Sequence, residues 1–146
     1  MAIKTRHITI MEDEVVTSCQ KEYQVFLFAQ LELVKRHFSW LKLSLNERMI
    51  SGSGVLEVGG RRYQVELNYS PFFPLRFDRI LIKGIAYHPK IHVYGDLSLC
   101  LYHPVQDMPL FRAIPLAEMI PWITEWCVHY QEWRKYGVWL GKEISH

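Results

Sequence analysis

A chain of 146 residues, 49% apolar and 14% aromatic, carries enough nonpolar side chain for one domain with a real core and too much for extended disorder. Its 17 basic and 15 acidic side chains leave a formal charge of +2, without the basic stripe that a dedicated nucleic-acid binder carries. No window approaches the ~20 apolar residues of a membrane span, and three cysteines with neither a Cys-x-x-Cys pair nor a signal peptide predict a soluble protein of the reducing cytoplasm.

Residues 1–146 read as a single domain. Thr17 followed by Gln20 has the form of a capping box, and Leu27, Leu31, Val34 and Phe38 then recur at helical spacing. The spacing predicts a helix over 16–38, with Cys19 near its start as a packing residue. Gly54–Val58 and Arg61–Leu67 flank Gly59-Gly60, a strong two-residue hairpin signal because both central positions need positive φ. The preceding Ser51-Gly52-Ser53-Gly54 superficially suggests a phosphate loop. It lacks a following Lys-Ser/Thr and leads into a strand, so a turn or bulge is expected there. Residues 76–83 predict a third strand, bounded by Pro71, Pro74 and Gly84. Residues 97–102 fit a short strand or extended piece.

After Pro104 the pattern turns helical. Pro115 suits a first helical position, and Pro121 restarts or kinks the helix. Trp122, Trp126, Tyr130 and Trp133 then line one face, with Ile123 and an inert Cys127 beside them. Arg134 and Lys135 favour the negative end of the helix, and Gly137 is a natural stop. The order is helix, antiparallel meander, irregular segment, helix, which is an α+β domain.

The irregular segment holds the chemistry. Cys100 lies near His88, His92 and His103 in sequence, and a thiol becomes a nucleophile only as thiolate. Three readings stay open on the residues alone. In the first, His88, His92, Cys100 and His103 bind a metal, although Pro89 disfavours a helical presentation of the histidines and no second cysteine is near. In the second, Cys100 is a buried thiol and the imidazoles bond loop carbonyls. In the third, Cys100 carries an acyl group on a rigid, accessible segment shaped by Gly95-Asp96 and closed by Pro104. There His92 and His103 are candidates for tuning the thiol, and Asp96 for orienting one of them. No other Ser/His/Asp or protease-type cysteine pattern competes.

Tyr69-Ser70-Pro71-Phe72-Phe73-Pro74, then Tyr87-His88-Pro89-Lys90, then Gly95 to Cys100-Leu101, resembles the ubiquitin-conjugating enzyme family in order and spacing. That family has a Tyr-Pro-Phe-x-Pro-Pro strand entry, a Tyr-His-Pro-Asn segment and a Gly-x-x-Cys-Leu site. The resemblance covers residues 17–136 and implies a ubiquitin-conjugating-like fold, no cofactor, and Cys100 as the thioester-forming nucleophile. It implies an organising role for His88 more than proton transfer. Lys90 stands where the eukaryotic enzymes have Asn. It offers a charge to an oxyanion in place of an amide, or simply faces solvent. The interval from His88 to Cys100 is longer than the eukaryotic one, and the chain stops at His146, with no room for the family's further C-terminal helices.

His92-Val93-Tyr94-Gly95-Asp96, Leu99-Cys100-Leu101-Tyr102, the Trp-rich helix and Trp139-Leu140-Gly141 are similar to the prokaryotic branch, whose members occur in antiphage operons including short type II CBASS systems. That similarity implies a standalone conjugating protein. Its partner would be a cyclic-nucleotide synthase whose C-terminus is transferred to lysines of acceptor proteins, with neither nucleic acid nor membrane as partner. The alternative within the same resemblance is a non-catalytic binding adaptor using Phe72-Phe73 and the flanking prolines as its contact surface.

Overall fold

Leu41, Leu43 and Leu45 alternate with polar residues, the period of a strand with one face buried. In the computed structural model, which describes residues 24–46, 48–70, 77–101 and 114–141, they belong to β1, Leu41–Asn46. This strand adds to those expected from sequence. It follows α1, whose described part spans residues 24–37 and buries Leu27, Leu31 and Val34, as the helical spacing predicts. Thr17, Cys19 and Gln20 lie outside the described residues.

The next elements are β2 (Met49–Val58), β3 (Arg61–Ser70) and β4 (Phe77–Ile82). All pair antiparallel in the order β1-β2-β3-β4, the expected meander with one strand more. Gly59 and Gly60 make the β2–β3 turn at φ 56° and 79°, the left-handed pair that a two-residue hairpin loop requires. In β3, Tyr63, Val65, Leu67 and Tyr69 are buried while Arg62, Gln64 and Glu66 are exposed, so one face of the sheet is wet and the other builds the core.

Ser51–Gly54 corrects an expectation. These residues form no turn or bulge but run inside β2, paired to β1 on one side and β3 on the other. The reason is close approach of neighbouring backbone. A Cβ at Gly52 would run into the Lys42 carbonyl, and one at Gly54 into the Trp40 carbonyl. Gly54→Ala is therefore expected to destabilise the fold by about 1–3 kcal/mol through overpacking, read as a lowered urea midpoint. An unchanged midpoint would show that the neighbouring backbone has room to yield.

α2 spans Leu116–Tyr136. Pro115 sits just before it with extended backbone (ψ 137°), so it caps the helix instead of opening it as expected. Its side chain supplies no capping acceptor. Gln30 of α1 does so, its Oε1 accepting the Ala117 N–H at 3.0 Å. The helix runs through Pro121 without restarting and ends where Gly137, at φ 75°, donates its N–H to the Trp133 carbonyl at 2.7 Å.

Leu116, Met119, Ile120, Ile123, Trp126, Cys127 and Tyr130 join the side chains of α1 and the sheet in one core cluster. From the same helix, Gln131 Nε2 donates to the Val58 carbonyl at 2.6 Å and to the Tyr63 hydroxyl at 2.8 Å, tying α2 to the β2–β3 turn. The architecture is the α+β arrangement expected from sequence. No described helix is long and apolar enough to cross a membrane.

Candidate active site

Beyond β4 the chain is held by small numbers of well-placed contacts. The Ile91 N–H donates to the His88 carbonyl at 3.2 Å, closing a turn with Pro89 at a position that suits its fixed φ. His88 Nδ1 accepts the Lys90 N–H at 3.1 Å, so the neutral ring carries its proton on Nε2. Its ring lies against Trp133 of α2, centroids 4.8 Å apart. Through these two contacts His88 ties its own loop to α2. Lys90 is exposed and shares with His88, Trp133, Arg134 and Gly137 a shallow depression of about 420 Å³.

Ile91 is fully buried, and the next turn of the chain hangs on one indole. Trp126 Nε1 donates to the Ile91 carbonyl at 2.9 Å and to the His92 carbonyl at 3.2 Å. The same His92 carbonyl accepts the Cys100 N–H at 2.9 Å. The Trp-rich face of α2, expected to be core, therefore also fixes the backbone opposite the cysteine. The His92 ring stacks on Trp139 (4.8 Å, 18°), which in turn packs against Trp126 and His129.

Residues 92–100 form a small hairpin. Val93 pairs with Leu99, and the Tyr94 N–H donates to the Ser98 carbonyl at 2.9 Å. Its turn closes through the Leu97 N–H to the Tyr94 carbonyl, with Leu97 at φ 71°. A branched side chain in that left-handed region costs about 1–3 kcal/mol and persists only where other contacts over-determine it. Asp96 supplies them: its Oδ1 accepts the Ser98 N–H at 2.9 Å and the Ser98 hydroxyl at 2.6 Å, while Oδ2 meets Arg79 Nε of β4 at 2.9 Å. Leu99 completes the attachment, its N–H donating to the Ile80 carbonyl at 2.8 Å.

The two Ser98 hydrogen bonds, with a smaller contribution from Arg79, hold the Asp96 carboxyl below its ordinary 3.8, at about 2. A lowered folded-state value stabilises the fold above the unfolded value, and that stability is lost as pH falls through the folded value. Asp96→Asn is thus expected to flatten the stability profile between pH ~4 and ~2, followed by urea melts across that window. Since the carboxylate is half exposed, solvent screening keeps the effect small. A variant whose profile matches the wild type would remove Asp96 from the turn's acid sensitivity.

Cys100 is 3% exposed, against the expectation of an accessible sulfur. Hydrogen-bonded pairing puts Tyr94 opposite Ser98 and Cys100 opposite His92, so Tyr94 and Cys100 share one face of the hairpin as diagonal neighbours. The Tyr94 phenol and the Cys100 thiol are hydrogen-bonded. Burial above all, then the hydrogen bond and charge of Cys100, then Asp78 and Asp96, push the Tyr94 phenol above its ordinary value of 10.0. It stays a neutral donor. Cys127 differs in kind: it is fully buried in the core, and burial alone pushes its thiol up to about 12.

The structure thus brings Cys100, the His92 backbone and Tyr94 together, with Asp96 shaping the turn. Among the described residues Asp96 meets Ser98 and Arg79 and no histidine. His103 and Phe72-Phe73 lie outside the described residues. Among the described residues no three His, Cys, Asp or Glu side chains gather as ligands for a metal ion. Tyr94, Trp126 and Trp139 are site residues that the sequence reading did not single out as such. For Tyr94 a signal existed, its even spacing from Cys100 across a Gly-Asp turn.

A family model described as Type II CBASS E2 protein matches residues 30–146, which take in the C-terminal part of α1, the whole sheet, the Cys100 hairpin and α2. No curated protein and no solved structure gives a match to the chain.

Proposed function

The chain belongs to the type II CBASS E2 family, and from that premise we propose that it carries an acyl group as a thioester on Cys100. The family is one of type II CBASS antiphage defence, a system that includes a protein partner. The finer reading is that the Cys100 thiolate attacks the activated C-terminal carbonyl of that partner, a cyclic-nucleotide synthase, and expels the activating group. A lysine amine of an acceptor then attacks the thioester, and the Cys100 thiolate leaves. A free carboxylate is too stable to form a thioester unaided, so the donor is an activated acyl group such as a mixed phosphoric anhydride or another thioester.

The observation that carries this reading is the contrast between two buried cysteines. Cys100 has a phenol on its sulfur and a strained, pinned turn around it, whereas Cys127 is raised by burial alone. The near-complete burial of Cys100 is what favours the second reading, a non-catalytic adaptor whose cysteine is only core.

Cys100→Ser separates the two. In the thioester reading, Cys100→Ser incubated with the activated partner accumulates an oxyester that survives thiol reductant, while the wild-type adduct is cleaved by it. In the adaptor reading both proteins bind the partner alike and neither forms a covalent adduct.

A further inference from the structure

The eukaryotic residue credited with supporting the oxyanion is an Asn amide, and this chain has Lys90 at that point of the motif. Lys90 is exposed, on a loop ordered by His88 and Trp133. Acyl transfer through Cys100 nevertheless forms a tetrahedral carbon with negative oxygen, twice per cycle, and a donor aimed at that oxygen is commonly the largest single catalytic contribution.

We propose that Tyr94 is a catalytic residue, its phenol O–H donating first to the Cys100 sulfur and then to the carbonyl oxygen of the tetrahedral intermediate. This rests on the thioester reading of Cys100. The geometry is that of the hairpin: Tyr94 and Cys100 are diagonal neighbours on one face, and phenol and thiol are hydrogen-bonded. In the thioester the carbonyl oxygen is attached to the carbon bonded to that sulfur, so a small rotation of the phenol carries the hydrogen bond from one atom to the other.

The step balances without a redox partner. The Cys100 thiol first loses its proton to solvent. The thiolate lone pair forms the S–C bond, the C=O π pair moves onto oxygen, and Tyr94 stabilises it by a hydrogen bond while keeping its own proton. Return of that pair expels the leaving group. In the second half the amine forms the C–N bond, the oxyanion collapses, the S–C bond breaks, and the ammonium proton passes to solvent. The phenol is suited to this because burial and its acidic neighbours Asp78 and Asp96 keep it protonated, with the Asp96 carboxylate bonded to Ser98 and Arg79. Leu97, strained at the turn, fixes the diagonal that brings the phenol to the sulfur.

The test compares two small probes on the full chain, wild type and Tyr94→Phe, with labelling quantified at the Cys100 peptide. Alkylation by iodoacetamide consumes the thiolate without an oxyanion, whereas acylation by p-nitrophenyl acetate passes through one. Both start from the thiolate, so comparing the ratio between wild type and variant cancels the thiolate fraction and reports the step that passes through an oxyanion. Phe keeps the ring, and circular dichroism confirms that both proteins are folded at the assay temperature. The expected result is a fall of about 100-fold in the acylation-to-alkylation ratio for Tyr94→Phe. An unchanged ratio overturns the role of Tyr94 and leaves the thioester reading standing. If wild-type Cys100 is alkylated but never acylated, the thioester reading falls and the role of Tyr94 falls with it.

Discussion

Cys100→Ala is expected to abolish covalent capture of the partner and all conjugation to acceptor amines, a loss of at least ~10³-fold that ends at the detection floor. The size of the effect follows from the covalent route: without the sulfur the thioester intermediate cannot form, and the other described cysteine does not replace it. Cys127 cannot, since it is fully buried among core side chains and its thiol is pushed up to about 12. Cys127→Ala should therefore keep full conjugation while losing about 1–2 kcal/mol of stability to the small cavity it leaves. The pair is read by following conjugate formation on denaturing gels and unfolding in urea. Conjugation that persists in Cys100→Ala but vanishes in Cys127→Ala would reverse the assignment.

The largest expected effect on stability belongs to Trp126→Ala. The indole is 3% exposed, stacks on Tyr130 (5.0 Å, 11°) and packs on Trp139. Its Nε1–H serves two carbonyls of the loop that precedes Cys100. Truncating a buried aromatic of this size costs about 3–5 kcal/mol, a large share of the ~5–15 kcal/mol that holds a domain folded. Trp126→Phe separates packing from hydrogen bonding. It keeps the ring in the core and leaves the Ile91 carbonyl short of its indole donor, at about 1–3 kcal/mol. It should also slow acylation of Cys100, because the His92 carbonyl that takes the Cys100 N–H loses its second donor. Urea melts and single-turnover acylation measure the two effects. A Trp126→Phe protein matching wild type in both would mean that the indole only fills space.

What sequence revealed of this molecule is what short-range chemistry encodes. Gly59-Gly60 names its own turn, Gly137 its own helix end, and the aromatic stripe of α2 its own buried face. Other features depended on distant partners. Gly52 and Gly54 carry the same local signal whether a chain turns or is closely approached, and the passage of Trp40 and Lys42 decides between them. Pro115 proved to lie one step before the helix because Gln30, far back in α1, caps it.

At the site, the order of three motifs pointed to Cys100. Its burial did not follow from them, since burial arises when residues 92–100 fold onto β4 and α2. Among the described residues the partners of Asp96 are Ser98 beside it and Arg79 across on β4, and the second of these depends on a strand far back in the chain. Tyr94 depended on the diagonal of a hairpin whose turn needs Leu97, a residue that rarely accepts φ 71°.

The central claim is tested most directly by mass spectrometry of the wild-type protein after incubation with its activated partner, kept non-reducing and mildly acidic. A thioester predicts a product equal to the two masses less the leaving group, mapped to the Cys100 peptide and released by added thiol. Conjugates that form with Cys100 unmodified throughout, or an adduct resting on another residue, would contradict it.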